Sequence, residues 1–357
     1  MGADGSHISP VPLSDRITPE VPAVSQLYGL QVEEVDSKAR SPIDVPPCII
    51  CGDRQARPVF TVEQMDLRLV SCVNCGLGRL EPQPSPEEIC SFYPPAYYGT
   101  GGAKFEGLAE LMVRLVGARH ARFLARPLRP KARVLDVGCG RGVTLRALAE
   151  CGCETHGFEV VHQPVENIDP RVKVNIAPSL AESQYPDNDF DEVIVWHVLE
   201  HVRDPRGLLR EIHRILKPGG VLVVAVPNFS SLQARWAGPA WFHLDLPRHL
   251  FHFPLPALRR LLEDCGFLCQ SEHHFSLRQN PFGWVQSGLN RLGWLPRNGL
   301  YTLLHRRNAQ QARPFTPIVR LQLRLAYWLS MLPAVMLSII TALMCSSATV
   351  HIVARRN

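Results

Sequence analysis

The feature that most constrains the fold is an alternation of short β-rich runs with helical patterns between about residues 105 and 275. The β-rich runs read RVLDV, CETHGFEV, VKVNI, FDEVIVW and GGVLVVAVP, and stretches such as VTLRALAEC and PRGLLREIHRIL separate them. Strands that alternate with helices pair in parallel and carry helices on both faces of one sheet. The sequence therefore predicts an α/β domain built on a parallel sheet with helices on both faces.

The stretch RVLDVGCGRG, residues 133–142, places three glycines within five positions directly after the first run. Missing side chains let main-chain N–H groups approach a ligand. The dinucleotide pattern G-x-G-x-x-G is not met, because Val143 stands where the third glycine is needed. Asp136 would repel a pyrophosphate but could pair with an ammonium group, and Glu159, which closes the next run, could accept both hydroxyls of a ribose. S-adenosylmethionine carries both groups.

Two cysteine pairs precede this region. Each pair has the spacing C-x2-C, each second cysteine is followed by glycine, and the four residues are Cys48, Cys51, Cys72 and Cys75. Two such turns can arrange four sulfurs tetrahedrally around Zn²⁺. Four thiolates leave no open position for substrate, so a structural zinc is expected; the alternative is a set of buried cysteines without a metal.

The composition changes along the chain and suggests five segments. Length alone favours roughly two domains of about 150 residues each. The N-terminus lacks a secretory signal pattern, and eleven cysteines at uneven spacing do not suggest a disulfide framework, so we expect a cytoplasmic protein. The expected segments are a disordered leader (1–45), a zinc-ribbon-like segment and connector (46–100), a cofactor-binding domain (101–280), an apolar and basic helical insertion (281–347) and a last strand (348–357).

Several motifs in order, over about residues 130 to 275, resemble those of the class I methyltransferases. They are VLDVGCGRG, GFEV, FDEVIVWHVLEHV and LKPGGVLVVAVPN. The resemblance implies a Rossmann-like, seven-stranded α/β sheet with helices on both faces, whose last strand, TVHIVARR, runs antiparallel. It also implies S-adenosylmethionine as the cofactor. Its methionine end would lie near Asp136, Gly138, Cys139 and Gly140, its ribose at Glu159, and its adenine near Ser179 and Leu180. The cysteine segment with FYPPAYY resembles the zinc-ribbon leader of bacterial methyltransferases that act on sugars and other small molecules.

The stretch WFHLDLPRHLFHF follows the fifth strand, where an α/β sheet presents its substrate crevice. It contains His243, Asp245, His249 and His252. Methyl transfer requires alignment of the nucleophile and removal of its proton, and imidazole suits a hydroxyl acceptor. The family resemblance of PRHLFHF favours His249 as the base, with Asp245 as its partner in catalysis.

A second histidine-bearing motif, WHVLEHV, follows the fourth strand. His197, Glu200 and His201 could suggest a metal cluster, but adjacent residues on a helix start do not easily face one ion. We therefore expect Glu200 to be an acid at a helix N-terminus and His197 to line the cofactor pocket.

Nucleic acid is the rival acceptor class, given the basic tail and the zinc ribbon. The fourth strand ends in VWHV rather than in the Asn/Asp-Pro-Pro-aromatic motif of amino-group base methyltransferases. A small-molecule, sugar or lipid-linked acceptor is therefore expected, by transfer to a hydroxyl or a carbon. An RNA or protein methyltransferase and a non-catalytic binding protein on the same fold are the alternatives.

The C-terminal region is apolar and basic. Residues 273–357 contain ten arginines and no Asp or Glu, and residues 325–350 contain no charge. Such a run is long enough to span a membrane, but the strand after it must return to the sheet, and Pro333 is expected to break the helix. The sequence predicts a helix on the anionic inner face of the membrane, attached through residues 281–345. A lid on its own domain and a homodimer face are the alternatives.

Overall fold

The structure is a computed structural model. It describes residues 30–36, 39–62, 65–93, 115–119, 121–124, 128–161, 168–304 and 315–357. Three predicted features lie wholly or mostly outside these residues: the first 29 residues of the leader, most of the connector, and the arginines at 306, 307 and 313.

The cysteine segment forms an antiparallel sheet at the N-terminal side of the described chain. Its strands and its one helix are β1 (Val32–Glu34), β2 (Ile43–Asp44), β3 (Gln55–Val62), β4 (Leu67–Cys72), β5 (Gly78–Glu81) and α1 (Pro86–Ser91). The order is β1-β3-β4-β5, and β2 also pairs with β3. The strands β1 and β2 lie inside the segment 1–45 that the sequence predicts to be disordered, so that expectation is wrong for them. Both strands obtain backbone partners from β3, and Leu30 is buried beside them.

The second sheet has seven strands. They are β6 (Arg133–Val137), β7 (Glu154–Glu159), β8 (Lys173–Ile176), β9 (Phe190–Trp196), β10 (Leu216–Pro227), β12 (Phe267–His273) and β13 (Thr349–Arg356). The two-residue strand β11 (Phe251–His252) precedes β12 in the chain but lies in the first sheet. The order is β12-β13-β10-β9-β6-β7-β8. The strand β13 is antiparallel to both neighbours, whereas β6 to β10 pair in parallel. The predicted sheet and its antiparallel last strand are confirmed.

The helices of this part alternate with the strands. They are α2 (Val143–Glu150), α3 (Pro205–Ile215), α4 (Leu232–Ala237) and α5 (Leu255–Asp264), followed by α6 (Asn280–Arg291), α7 (Gly299–Leu304) and α8 (Pro317–Leu343). Local sequence explains α3: the Asp204 side chain caps it by accepting from Gly207 N at 2.8 Å, and Pro205 occupies the first turn. Its apolar positions Leu209, Ile212 and Ile215 recur at helical spacing and are buried against the sheet.

The two sheets are joined through β11, which pairs with β5 and so extends the N-terminal sheet by one strand. The amide of Leu80 donates to Leu250 O at 3.0 Å. Side chains of both sheets belong to one continuous apolar core, which includes the fully buried Phe251. Arg206 Nη2, at the start of α3, donates to Ile49 O at 2.9 Å. The cysteine segment is therefore docked on the loop that follows β10.

Helices α6, α7 and α8 lie between β12 and β13, as the sequence predicts. The helix α8 is long and apolar enough to cross a membrane by length and composition, with a mean hydropathy of 1.8, and 17% of that stretch is buried. Pro333 lies inside α8 and does not end it, so the predicted break is wrong. A proline removes one i→i−4 hydrogen bond, and the turns on both sides keep the helix intact.

Candidate functional site

The glycine turn lies between β6 and α2. Gly138, Gly140 and Gly142 have φ of +71°, +53° and +65°, a region that L side chains rarely adopt. A Cβ at Gly138 would lie 2.5 Å from Val198 Cγ2, whereas a Cβ at Gly140 would meet no heavy atom within 4 Å. The backbone at Gly140 therefore borders open space, and a ligand can approach it there.

Two buried acids face this turn. Asp136 and Glu159 are 5% and 8% exposed, and Glu159 Oε1 accepts from Gly140 N at 2.6 Å. Burial, with the negative charge of Glu159, raises the pKa of Asp136 to about 8. Burial also raises the pKa of Glu159, although backbone hydrogen bonds oppose that rise. Two buried acids without a cation are costly, so this pocket favours a positively charged ligand.

The other predicted cofactor contacts have mainly local partners. Cys139 and Leu180 are buried, and burial raises the pKa of the Cys139 thiol. Ser179 Oγ donates to Glu182 Oε1 at 2.8 Å and accepts from Glu182 N at 3.3 Å, so it caps the short turn that follows. The structure brings Asp136, Gly140 and Glu159 together directly, and Ser179 and Leu180 lie on the loop after β8.

The loop after β10 carries three buried histidines. His249 Nδ1 donates to His243 O at 2.9 Å, and His252 Nε2 donates to Leu244 O at 3.0 Å. Burial lowers the pKa of His243 to about 3 and that of His252 to about 4, and it holds the pKa of His249 well below the usual value. At neutral pH these rings are therefore uncharged.

Asp245 lies in the same loop with a left-handed φ of +38°. Its carboxylate accepts two hydrogen bonds from Arg248, one from Nε at 3.1 Å and one from Nη2. His249 Nε2 is 3.8 Å from Asp245 Oδ2. Burial lowers the pKa of Arg297 to about 10, and the charge of Asp245 opposes that fall. The Asp245 charge thus pairs first with Arg248, a residue that sequence reasoning missed.

Glu200 lies at a helix start, as predicted, but that helix is a single 3₁₀ turn rather than an α-helix. It sits in the 3₁₀ turn Leu199–His201, is 1% exposed, and its Oε1 accepts from His197 Nδ1 at 3.1 Å. The turn folds under the loop after β10, because Leu250 N donates to Glu200 O at 2.8 Å. This long-range pairing buries the carboxylate, and nothing in the local sequence indicates it.

His201 is placed by residues from two other segments. Its Nδ1 lies 3.0 Å from Arg248 O and 2.8 Å from Tyr93 Oη. Because a carbonyl oxygen only accepts, Nδ1 carries the hydrogen and Nε2 keeps its lone pair. The His201 and His249 rings are 4.5 Å apart, edge to face. Tyr93 follows α1, so the cysteine segment contributes a side chain to this histidine cluster.

The four paired cysteines converge at one point. All four sulfurs lie within 4.8 Å of one another, with Cys48 Sγ 3.5 Å from Cys75 Sγ and Cys51 Sγ 3.4 Å from Cys72 Sγ. The glycines after the pairs, at 52 and 76, have φ of +77° and +73°, and their amides donate to the carbonyl oxygens of the first cysteines. Zn–S bonds of about 2.3 Å imply sulfurs about 3.8 Å apart, so the donor set fits a tetrahedral ion.

Comparison with known proteins supports the resemblance that the sequence motifs carry. A family model described as a methyltransferase domain matches residues 108–272, which is less than half of the chain. Within those residues the chain is a methyltransferase domain. The seven strands of this methyltransferase domain and its antiparallel last strand are those that the sequence motifs predict.

Two relatives of the methyltransferase domain are named ubiquinone biosynthesis O-methyltransferase. The protein of Shewanella sp. (strain ANA-3) is 30% identical over 144 residues, and that of Xanthomonas campestris pv. campestris (strain B100) is 34% identical over 140 residues. The alignments cover 35% and 36% of this chain, and they span only 61% and 58% of the relatives. A solved S-adenosylmethionine-dependent methyltransferase from Archaeoglobus fulgidus is 20% identical to this chain, with a TM-score of 0.43. The superposition covers 68% of this chain and 93% of that one.

Proposed function

We propose that this protein transfers a methyl group from S-adenosylmethionine to a hydroxyl of a small molecule. The observation that carries the proposal is the pair of buried acids, Asp136 and Glu159, at the glycine turn of a methyltransferase sheet. The names of the relatives support an oxygen acceptor.

The residues around the turn fit this cofactor. Asp136 would face the positively charged methionine end, Glu159 would accept the ribose hydroxyls, and the open space at Gly140 admits the ligand to the backbone. S-adenosylmethionine supplies an activated methyl group on a sulfonium leaving group. The protein then has to bind it, align the acceptor and exclude water.

We place the acceptor beside the loop after β10. His249 donates through Nδ1 to a backbone carbonyl, which leaves Nε2 as a fixed lone pair for activating a hydroxyl. Asp245 and the buried Arg248 form a partly buried ion pair that holds the loop around His249. His197 directly follows β9. We expect the cofactor and acceptor pockets to meet there.

Calorimetry with S-adenosylmethionine tests the cofactor half. Above pH 8, where Asp136 is ionised, the isosteric variants Asp136→Asn and Glu159→Gln should each weaken binding by about 10- to 150-fold, because a hydrogen bond to a charged group contributes about 1.5–3 kcal/mol. Glu192→Gln is the matched control, since Glu192 is equally buried but lies on β9 away from the turn. No heat with the natural protein, or equal affinity in all three variants, would reject the proposal.

A transfer assay with labelled cofactor tests the acceptor half. The proposal expects label in small molecules or lipids of a cell extract. Label found only in RNA or protein would favour those alternatives, and cofactor binding without any transfer would favour a non-catalytic binding protein.

We further propose that Cys48, Cys51, Cys72 and Cys75 hold a structural Zn²⁺. The geometry of the sulfurs and of the two glycine turns supports it. Elemental analysis should find zinc in protein purified without chelator. Cys75→Ser should lower the stability of the fold, because metal binding at a closed thiolate site contributes directly to folding; Cys90→Ser, at an exposed cysteine outside the cluster, is the control.

We also propose that α8 attaches the protein to an anionic membrane surface. Eleven large apolar side chains of α8 are exposed, and Leu337 is one of them. The other ten fall, at 100° per residue, within roughly 120° of the helix circumference. They are Ile318, Leu321, Leu325, Trp328, Leu329, Leu332, Met336, Ile339, Ile340 and Leu343. The opposite side, with Leu323, Ala334 and Thr341, is buried against the protein. The apolar stripe is about 40 Å long.

Charge favours a bilayer as the occupant of this stripe. Arg320 and Arg324 are exposed on the same helix, Arg324 near the edge of the stripe, and residues 273–357 contain no acid. Sedimentation with vesicles containing anionic lipid should be lost in Leu329→Glu and kept in Leu268→Glu, which changes an exposed leucine on β12. A dimer that Leu329→Glu dissociates, with no vesicle binding, would reject the membrane proposal in favour of a dimer face.

A further inference from the structure

Three side chains converge where the 3₁₀ turn after β9 meets the loop after β10. Glu200, His201 and His249 each offer a ligand atom, and these atoms lie within 4.8 Å of one another. None of the three belongs to the cysteine cluster or to the cofactor turn. The convergence arises because the 3₁₀ turn after β9 is fixed under the loop after β10.

The hydrogen bonds leave one ring nitrogen of each histidine unused for a metal. His249 Nδ1 donates to His243 O at 2.9 Å and His201 Nδ1 to Arg248 O at 3.0 Å, so Nε2 of both rings keeps its lone pair. Metal-binding histidines typically donate their other ring N–H to a carbonyl or carboxylate in this manner, which fixes the tautomer and the orientation of the ring.

The buried carboxylate supplies an independent observation. Glu200 is 1% exposed, and Oε2 has no hydrogen-bond partner among the described residues. Its Oε1 accepts from His197 and lies 4.0 Å from His249 Nε2. An ionised carboxylate without a full set of partners is costly in the interior, and a divalent cation beside Oε2 would remove that cost.

We propose that Glu200, His201 and His249 bind a divalent first-row transition ion. Two imidazoles and one carboxylate suit zinc, iron(II) or cobalt(II), whereas magnesium prefers oxygen ligands and keeps its waters. Ion–ligand bonds of about 2.0–2.2 Å require the three groups to move together by less than about 1 Å. Three protein ligands leave coordination positions free, so the ion can also bind an acceptor oxygen.

The role in methyl transfer rests on the proposed function, but the binding of the ion does not. A hydroxyl bound to the ion loses its proton to water at a lower pH, and the resulting oxyanion is the better nucleophile. With the ion bound, the Nε2 lone pair of His249 is a metal ligand, so the activation of the hydroxyl assigned to His249 above would run through the ion instead of by proton transfer to the ring.

Cobalt(II) titration of protein with its cysteine site loaded with zinc tests the proposal. One equivalent should bind and give weak visible d–d bands without the near-ultraviolet band of sulfur-to-cobalt charge transfer. Glu200→Gln and His249→Gln should each weaken binding at least about tenfold. Glu192→Gln is the control, because that buried carboxylate also has an unpartnered oxygen, Oε1.

The cobalt experiment needs neither cofactor nor acceptor, so its outcome is separate from that of the transfer assay. The absence of a cobalt band in the natural protein would overturn the metal site. An equal affinity in Glu200→Gln and the natural protein would do the same, and so would a sulfur charge-transfer band with release of zinc. Thermal unfolding of each variant shows whether the fold is intact when binding is lost.

Discussion

Replacing Gly138 by alanine tests whether the glycine turn is needed by the fold or only by the ligand. The residue has φ +71°, and holding an L residue in the left-handed region costs about 1–2 kcal/mol. Its new Cβ would also lie 2.5 Å from Val198 Cγ2, and overpacking of this kind costs about 1–3 kcal/mol. Together the two effects should lower the free energy of unfolding by about 2–5 kcal/mol.

Urea unfolding followed by circular dichroism measures this loss, and Gly140→Ala is the matched control. Gly140 has φ +53° but open space around its Cβ, so only the cost of about 1–2 kcal/mol should remain. Val198→Ala combined with Gly138→Ala should recover part of the difference, which a double-mutant cycle isolates. An equal loss in Gly138→Ala and Gly140→Ala would refute the reasoning, because the contact with Val198 would then cost nothing.

Three further outcomes follow from charge and burial. The pKa of Asp136 is raised to about 8, so lowering the pH below 8 neutralises its carboxylate. Affinity for the cationic cofactor, measured by calorimetry, should therefore fall about tenfold per pH unit between pH 8 and 6. This pH dependence should vanish in Asp136→Asn. Arg206→Ala removes the hydrogen bond to Ile49 O and should speed amide hydrogen exchange around residues 48–52 by undocking the cysteine turn. In urea unfolding, Leu323→Ala on the buried side of α8 should cost about 2–5 kcal/mol, whereas Leu329→Ala, at 76% exposed, should change stability by less than about 0.5 kcal/mol.

The parts of the fold that the sequence predicts are those set by local chemistry. The runs RVLDV and FDEVIVW form β6 and β9 because buried parallel strands need continuous apolar residues. The glycines of the turn and those after the cysteine pairs all adopt positive φ, as their positions in tight turns require. These signals lie within a few residues, so one sequence is enough to read them.

The features that the sequence does not reveal depend on contacts between distant segments. The strand β11 has only two residues and exists because β5 pairs with it. Glu200 precedes a helix in the sequence and looks like an acid at a helix start, yet the loop after β10 covers it. Tyr93 reaches His201 across 108 positions of the chain. No periodicity or spacing encodes such pairings.

The loop after β10 is held from two sides, and this links the proposed acceptor site to the rest of the molecule. On one side β11 continues the sheet of the cysteine segment. On the other, Phe242 N donates to Ser287 Oγ at 2.9 Å and Asn290 Nδ2 donates to Ala240 O at 3.1 Å, which ties the loop to α6. The helix α6 packs in turn on α8, whose opposite face is the exposed apolar stripe. Loss of the proposed zinc in Cys75→Ser, or binding of a membrane to the exposed apolar stripe, would therefore shift the same few residues, which are those that position His249.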